Sequence, residues 1–166
     1  MFLKIKNIPK VNWSSDKPYN LKPKFSTFFF LCFGLMLFGL GEGLLIVSFI
    51  GASPWSVLAQ GISLNVNLSI GTITLLISIA VLILWIPLNQ KLGIGTIFNA
   101  LIIALMIDLC IKFVPTPSSY IYQLILAIIS VIIVGIGGGI YLVSNLGSGP
   151  RDGLMIGLQK ITNLPI

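Results

Sequence analysis

Residues 39–70, GLGEGLLIVSFIGASPWSVLAQGISLNVNLSI, align without a gap on residues 135–166, GIGGGIYLVSNLGSGPRDGLMIGLQKITNLPI, at an offset of 96. Of the 32 aligned pairs 12 are identical, among them Gly39/Gly135, Gly41/Gly137, Gly43/Gly139, Gly51/Gly147, Pro54/Pro150 and Gly61/Gly157. Gly and Pro are placed by backbone conformation rather than by apolarity. Their recurrence therefore marks an internal repeat, which has to be recognised before any fold is assigned.

Outward from the repeat the chain is dominated by long apolar runs. It has 166 residues, 56% hydrophobic and 8% charged, with a mean hydropathy of +1.05. Soluble domains carry about 25% charged residues, so a water-soluble globule is excluded. Crossing a bilayer core takes about 20 apolar helical residues. Four runs approach that length, at 28–50, 70–88, 96–114 and 121–145. They are continuous and rich in Leu and Ile rather than alternating, so they read as helices and not barrel strands. The first is longer than the apolar core of a cleaved signal peptide and follows a polar leader of 27 residues.

The net charge of +6 comes largely from Lys4, Lys6, Lys10, Lys17, Lys22 and Lys24, all ahead of the first run. That clustering points to a cytoplasmic anchor and not to a nucleic-acid partner. Lys91, Arg151 and Lys160 fall on the same side, whereas 51–69 and 115–120 contain no Lys or Arg. The N-terminus is thus expected in the cytoplasm, with residues 1–27 a basic arm that has three prolines, Pro9, Pro18 and Pro23. Trp85, Tyr120 and Tyr122 sit where interfacial aromatics belong.

One repeat unit, 28–114, holds three spans, so the second copy, beginning at 121, must enter the membrane from the opposite face. Inverted-topology repeats of this kind are common in secondary transporters. The expected fold is all-α and polytopic: four transmembrane helices, an inverted three-span repeat whose second unit is truncated, and short Pro-led half-helices. Residues 71–114 have no second copy, which implies either a fragment of a six-span protein or a partner chain supplying the missing pair.

The pattern G-x-[SG]-P-[WR]-[SD]-x-L in GASPWSVL (51–58) and GSGPRDGL (147–154), the IGT of 70–72 ahead of a span, and LGIGTIFNALIIALMIDL (92–109) are informative together. With them, residues 34–166 resemble the YczE/YyaS/YitT-type family of bacterial inner-membrane proteins. The resemblance implies a polytopic protein of the bacterial inner membrane. It implies architecture rather than mechanism, because that family has no defined biochemical activity.

Candidate site residues follow from position. Ser53-Pro54 and Gly149-Pro150 have the form of an N-cap and Pro in the first helical turn. Each opens a segment of about 11 residues, too short to cross. If these half-helices dip inward, their N-termini, with Arg151 and Asp152, could hold an anionic group; alternatively they rest on the membrane surface. Glu42 and Asp108 are acids within spans, and such groups mark function by default. Glu42 reads as a proton-coupling or cation-binding carboxylate, or as one satisfied locally. Asp108 stands four residues before Lys112, the order of a helical ion pair, and serves as gate or structure.

The pairs Gly39/Gly43 and Gly135/Gly139 are small-xxx-small patterns, expected to bring spans one and four together. The chain has no His, and Cys32 and Cys110 lie in opposite leaflets, so neither a disulfide nor a metal site is expected. No GxSxG, P-loop or paired-carboxylate pattern is present, and neither an enzyme nor a cofactor is expected. The partners expected are the lipid bilayer, a small solute or ion, and a second copy or a partner chain. The functional expectation is a transporter-like protein; the alternative is a membrane-embedded regulatory or scaffold protein that moves nothing.

Overall fold

The computed structural model describes residues 11–162. Lys4, Lys6 and Lys10 of the arm, and the repeat mates Asn163, Leu164 and Ile166, lie outside them. The described residues form six α-helices and no strand: α1 (Phe25–Val47), α2 (Pro54–Ser63), α3 (Ile70–Leu84), α4 (Ile94–Phe113), α5 (Tyr120–Val143) and α6 (Pro150–Thr162). Among them α1, α4 and α5, of 23, 20 and 24 residues, are long and apolar enough to cross a membrane. Much of their surface is bare hydrocarbon. On α5, Ile128, Val131, Ile132 and Ile136 are each more than half exposed. Such a surface is incompatible with water and suited to lipid.

The expected span at 70–88 is shorter than predicted. α3 has 15 residues, about 22 Å at 1.5 Å per residue, against the roughly 30 Å of hydrocarbon. Pro87 disfavours helical geometry in the residue before it, and residues 85–89 form turns. α4 likewise stops at Phe113, where Val114 ahead of Pro115 is extended at φ −97°, ψ 117°.

Local structure repeats at the sequence offset. α1 ends at Val47 and is capped at Ser48; α5 ends at Val143 and is capped at Ser144. The Ser48 hydroxyl donates to the Leu45 carbonyl at 2.6 Å, and the Ser144 hydroxyl to the Tyr141 carbonyl at 2.5 Å. The next residues, Phe49 and Asn145, both take left-handed φ, 58° and 54°. α2 and α6 then start at Pro54 and Pro150. The loops also differ: Gly147 adopts φ 118°, a region costly for any side chain, whereas Gly51 does not.

α1 is the central helix. A Cβ on Gly34 would meet the backbone of Gly137 and Tyr141, and one on Gly41 that of Ser130 and Val134. Contacts that rise along α1 therefore fall along α5, and the two helices are antiparallel. On another face of α1, Gly39 meets Ile103 and Met106 and Gly43 meets Ile107 and Cys110, so α1 and α4 are parallel. A core of Leu31, Leu35, Ile103, Ile107, Tyr141 and Leu146 fills the junction of the three.

The glycine expectation is corrected here. α1 and α5 do pack together, but through Gly34, Gly41 and Gly137; Gly39 and Gly43 seat α4 instead. Gly135 and Gly139 have nothing within 4 Å of an added Cβ. Successive helical residues turn about 100°, so glycines two positions either side of Gly137 point away from α1.

The arm from Val11 onward has no helix of its own before Phe25, yet it is docked. The Ser15 amide donates to the Ser144 carbonyl at 3.0 Å, and Asn145 Nδ2 to the Ser15 carbonyl at 2.9 Å. Trp13 stacks on Phe30 with ring centroids 4.5 Å apart. The arm thus ties the start of α1 to the end of α5.

Candidate functional site

Near the middle of α1, at Phe38, a cavity of about 50 Å³ opens between the helices. A buried water needs some 10–15 Å³ on this measure, so the space suits a few waters or a small ion, and not an organic metabolite. Its polar lining comes from Glu42 of α1, Ser56 at the start of α2, Thr74 and Ser78 of α3, Asn99 of α4, Tyr141 of α5, and Arg151 and Asp152 at the start of α6; Phe38, Trp55, Ala100, Ile103, Ile107, Gly149 and Pro150 complete it.

Glu42 is 6% exposed. Its Oε2 accepts from the Ser53 and Ser56 hydroxyls, both at 2.7 Å. Ser53 also caps α2, accepting from the Ser56 amide at 3.3 Å. The carboxylate is thus placed at the positive end of α2. Glu42 sits five residues before the end of α1, roughly 7–8 Å inside it, so the start of α2 turns back along α1.

The second half-helix uses the mirror chemistry. Asp152, the repeat mate of Ser56, lies in the first turn of α6 and accepts from the Tyr141 hydroxyl on α5. Here the acid is on the half-helix and the hydroxyl on the long helix, the reverse of Glu42 and Ser56. Arg151 Nε lies 3.5 Å from Asp152 Oδ1, with its side chain half exposed. Each half-helix N-terminus therefore already faces a carboxylate.

Other parts hold α6 in place. Trp85, expected at the interface, is instead 2% exposed, and its indole N–H donates to the Pro150 carbonyl at 3.0 Å. Its ring lies against Gly153, where a Cβ would overlap it. The Thr96 hydroxyl donates to the Ser148 carbonyl at 2.7 Å, and the Gly95 amide to the Leu146 carbonyl at 2.9 Å. These bonds lay the loop before α6 on the start of α4.

Asp108 is away from the cavity. Its carboxylate accepts from the Ser69 hydroxyl at 2.6 Å and the Gly71 amide at 2.7 Å, closing the N-terminus of α3. The ion pair expected with Lys112 is replaced by that cap; the Lys112 ammonium lies 5.4 Å from the Phe113 ring centroid. Among the candidates, Glu42, Gly149, Pro150, Arg151 and Asp152 line one space, Ser53 bonds Glu42 beside it, Pro54 stands next to the lining residue Trp55, and Asp108 does not join them. Thr74, Ser78 and Tyr141 were not candidates on sequence. The repeat offered a signal for Tyr141, a polar ring paired with Leu45 inside an apolar span.

An all-helical integral membrane protein with a small cavity of mixed polar and apolar lining among its helices is the class these observations define. A family described as "Family of unknown function (DUF6198)" matches residues 25–166, and the chain belongs to it. It is 37% identical over 163 residues to an "Uncharacterized protein" of Haemophilus influenzae, covering 98% of this chain and 74% of that one. It is 30% identical to the "Uncharacterized membrane protein YczE" of Bacillus subtilis, covering 82% of this chain and 63% of that one. It is also 30% identical to the "Uncharacterized protein YyaS" of Bacillus subtilis, covering 80% and 68% respectively. The chain thus spans between about two thirds and three quarters of the length of these relatives. No solved structure matches it.

Proposed function

We propose that this chain is the binding part of a transporter-like protein of the bacterial inner membrane, with its N-terminus in the cytoplasm, and that it moves a small solute or ion. In this reading α3, short as it is, is a fourth span, and α1 and α5 head two copies of one unit inserted in opposite directions. Their antiparallel packing and the 96-residue recurrence of caps and half-helix starts support that relation. The role is non-enzymatic. Gly135 and Gly139 then have a use: their mates Gly39 and Gly43 seat α4, so the exposed α5 face suits a partner transmembrane helix of α4 character.

The observation that carries the reading is the convergence of the two Pro-led starts on one mid-helix cavity that contains Glu42. Half-helices meeting from opposite ends are how alternating-access sites are built. A scaffold has no need of a buried carboxylate at an internal cavity.

Thiol access tests the reading. In a Cys32→Ser, Cys110→Ser background, Ser78→Cys exchanges a 4% exposed lining hydroxyl for a thiol of similar size. A transporter is expected to show reaction of this thiol with Ag+, a thiol-reactive ion small enough for the cavity, from at least one side of membrane vesicles in chloride-free nitrate buffer, read as loss of titratable thiol after denaturation. Complete protection from both sides contradicts the reading and favours a sealed scaffold.

A further inference from the structure

We propose that the cavity binds a small monovalent cation and not an anion. This rests on the reading of the cavity as a transport site and adds the class of its ligand. The start of a half-helix would ordinarily attract an anion, but each of these two starts already has a carboxylate beside it, Glu42 at α2 and Asp152 at α6.

The hydroxyl protons around the space are spent inside the protein. Ser53 and Ser56 donate to Glu42, Thr74 to the Ile70 carbonyl and Ser78 to the Thr74 carbonyl, both at 2.8 Å, and Tyr141 to Asp152. A hydroxyl whose proton is committed offers only lone pairs. Pro54 and Pro150 lack an amide proton, and the Ser56 and Gly153 amides are bonded to the Ser53 hydroxyl and the Gly149 carbonyl. Around Glu42 the hydroxyls therefore offer acceptors, and the side-chain donors that still line the cavity are the Arg151 guanidinium and the Asn99 amide.

Charge points the same way. Arg151 is next to Asp152 and offsets it, which leaves Glu42 without a cationic partner among the described residues. Glu42 is more than nine-tenths buried, and its two hydrogen bonds both fall on Oε2. Its Oε1 takes none, yet is not sealed by neighbouring atoms. Two hydroxyls and a helix N-terminus hold the Glu42 carboxylate but supply no full positive charge, which a bound cation would add. One carboxylate with neutral oxygens from Ser56, Thr74, Ser78 and Asn99 matches a hard, singly charged ion. A divalent site would call for more acids, and no cluster of three His, Cys, Asp or Glu exists among the described residues.

Thermal unfolding of the purified full chain in detergent provides the test, with lithium, sodium, potassium and N-methylglucamine chlorides compared at constant ionic strength. At a hundredfold excess over Kd, one alkali cation is expected to raise the midpoint saturably by about 5–10 °C. Glu42→Gln, which keeps an oxygen for Ser53 and Ser56, is expected to abolish the shift. Thr74→Val, which removes one neutral oxygen, is expected to raise the apparent Kd about tenfold while the shift stays saturable. Exchanging chloride for gluconate or sulfate at fixed cation is expected to change nothing. No alkali-cation effect, a shift that follows the anion, or a shift retained in Glu42→Gln overturns the proposal. Because thiol access at Ser78→Cys is read separately, a labelled cavity with no cation effect defeats this inference alone and leaves the transport reading standing.

Discussion

Gly137→Leu is expected to destroy the packing of α5 on α1, whereas Gly139→Leu is expected to be nearly silent. A Cβ at Gly137 would stand 2.5 Å from the Phe38 amide nitrogen, 2.7 Å from the Gly34 carbonyl oxygen and 3.0 Å from the Leu37 carbonyl carbon. All three are backbone atoms of a helix and cannot rotate aside. Gly34 meets the Tyr141 amide nitrogen at 2.7 Å in the same way, so the two helices touch backbone to backbone. Overpacking a well-filled core costs about 1–3 kcal/mol, and a leucine forced between two helix backbones belongs at or above the top of that range. Gly139 is two residues away with nothing within 4 Å, where substitutions stay within about 0.5 kcal/mol. Thermal unfolding in detergent, with size-exclusion profiles as a check, separates the pair. Equal midpoints would mean that α5 does not lie on α1 as described.

Trp85→Ala is expected to release α6 and to cost about 3–5 kcal/mol, the range for removing a large buried aromatic side chain. Its indole is 2% exposed, bonds the Pro150 carbonyl, and occupies the space that a side chain on Gly153 would need. The last contact makes the prediction sharper through a double-mutant cycle. Gly153→Ala is expected to destabilise the native background by more than about 1 kcal/mol and to be almost neutral once Trp85 is Ala. Additive effects would show that α6 is not seated on Trp85.

The repeat made much of this legible before any coordinates. Identities at Ser48/Ser144 and Pro54/Pro150 correspond to helix ends and helix starts in the structure, because capping and proline geometry are local properties. Facing was not legible. Spacing alone showed that Gly39, Gly43, Gly135 and Gly139 could approach a neighbour, but the neighbour depends on how each helix is rotated. Asp108 illustrates the same limit. Lys112 is its natural partner within a helix, yet the bare amides at the start of α3, brought close by tertiary packing, hold it instead. The cavity chemistry was half visible: Glu42 stood out as an acid in an apolar span, but its alignment with Gly138 concealed its real counterpart. That counterpart is Asp152, displaced onto the half-helix and matched to Ser56. Trp85 looked interfacial by position, and only the close approach of Gly153 shows it to be a buried support.

The central claim is that α1 and α5 begin units inserted in opposite directions, so that the residues just beyond them lie on opposite sides of the membrane. Single cysteines at Phe49 and Lys160, both exposed, in the Cys32→Ser, Cys110→Ser background test it with a membrane-impermeant maleimide applied to intact cells and to inverted vesicles. Phe49→Cys is predicted to react only in intact cells and Lys160→Cys only in inverted vesicles; reaction of both in the same preparation would contradict the account.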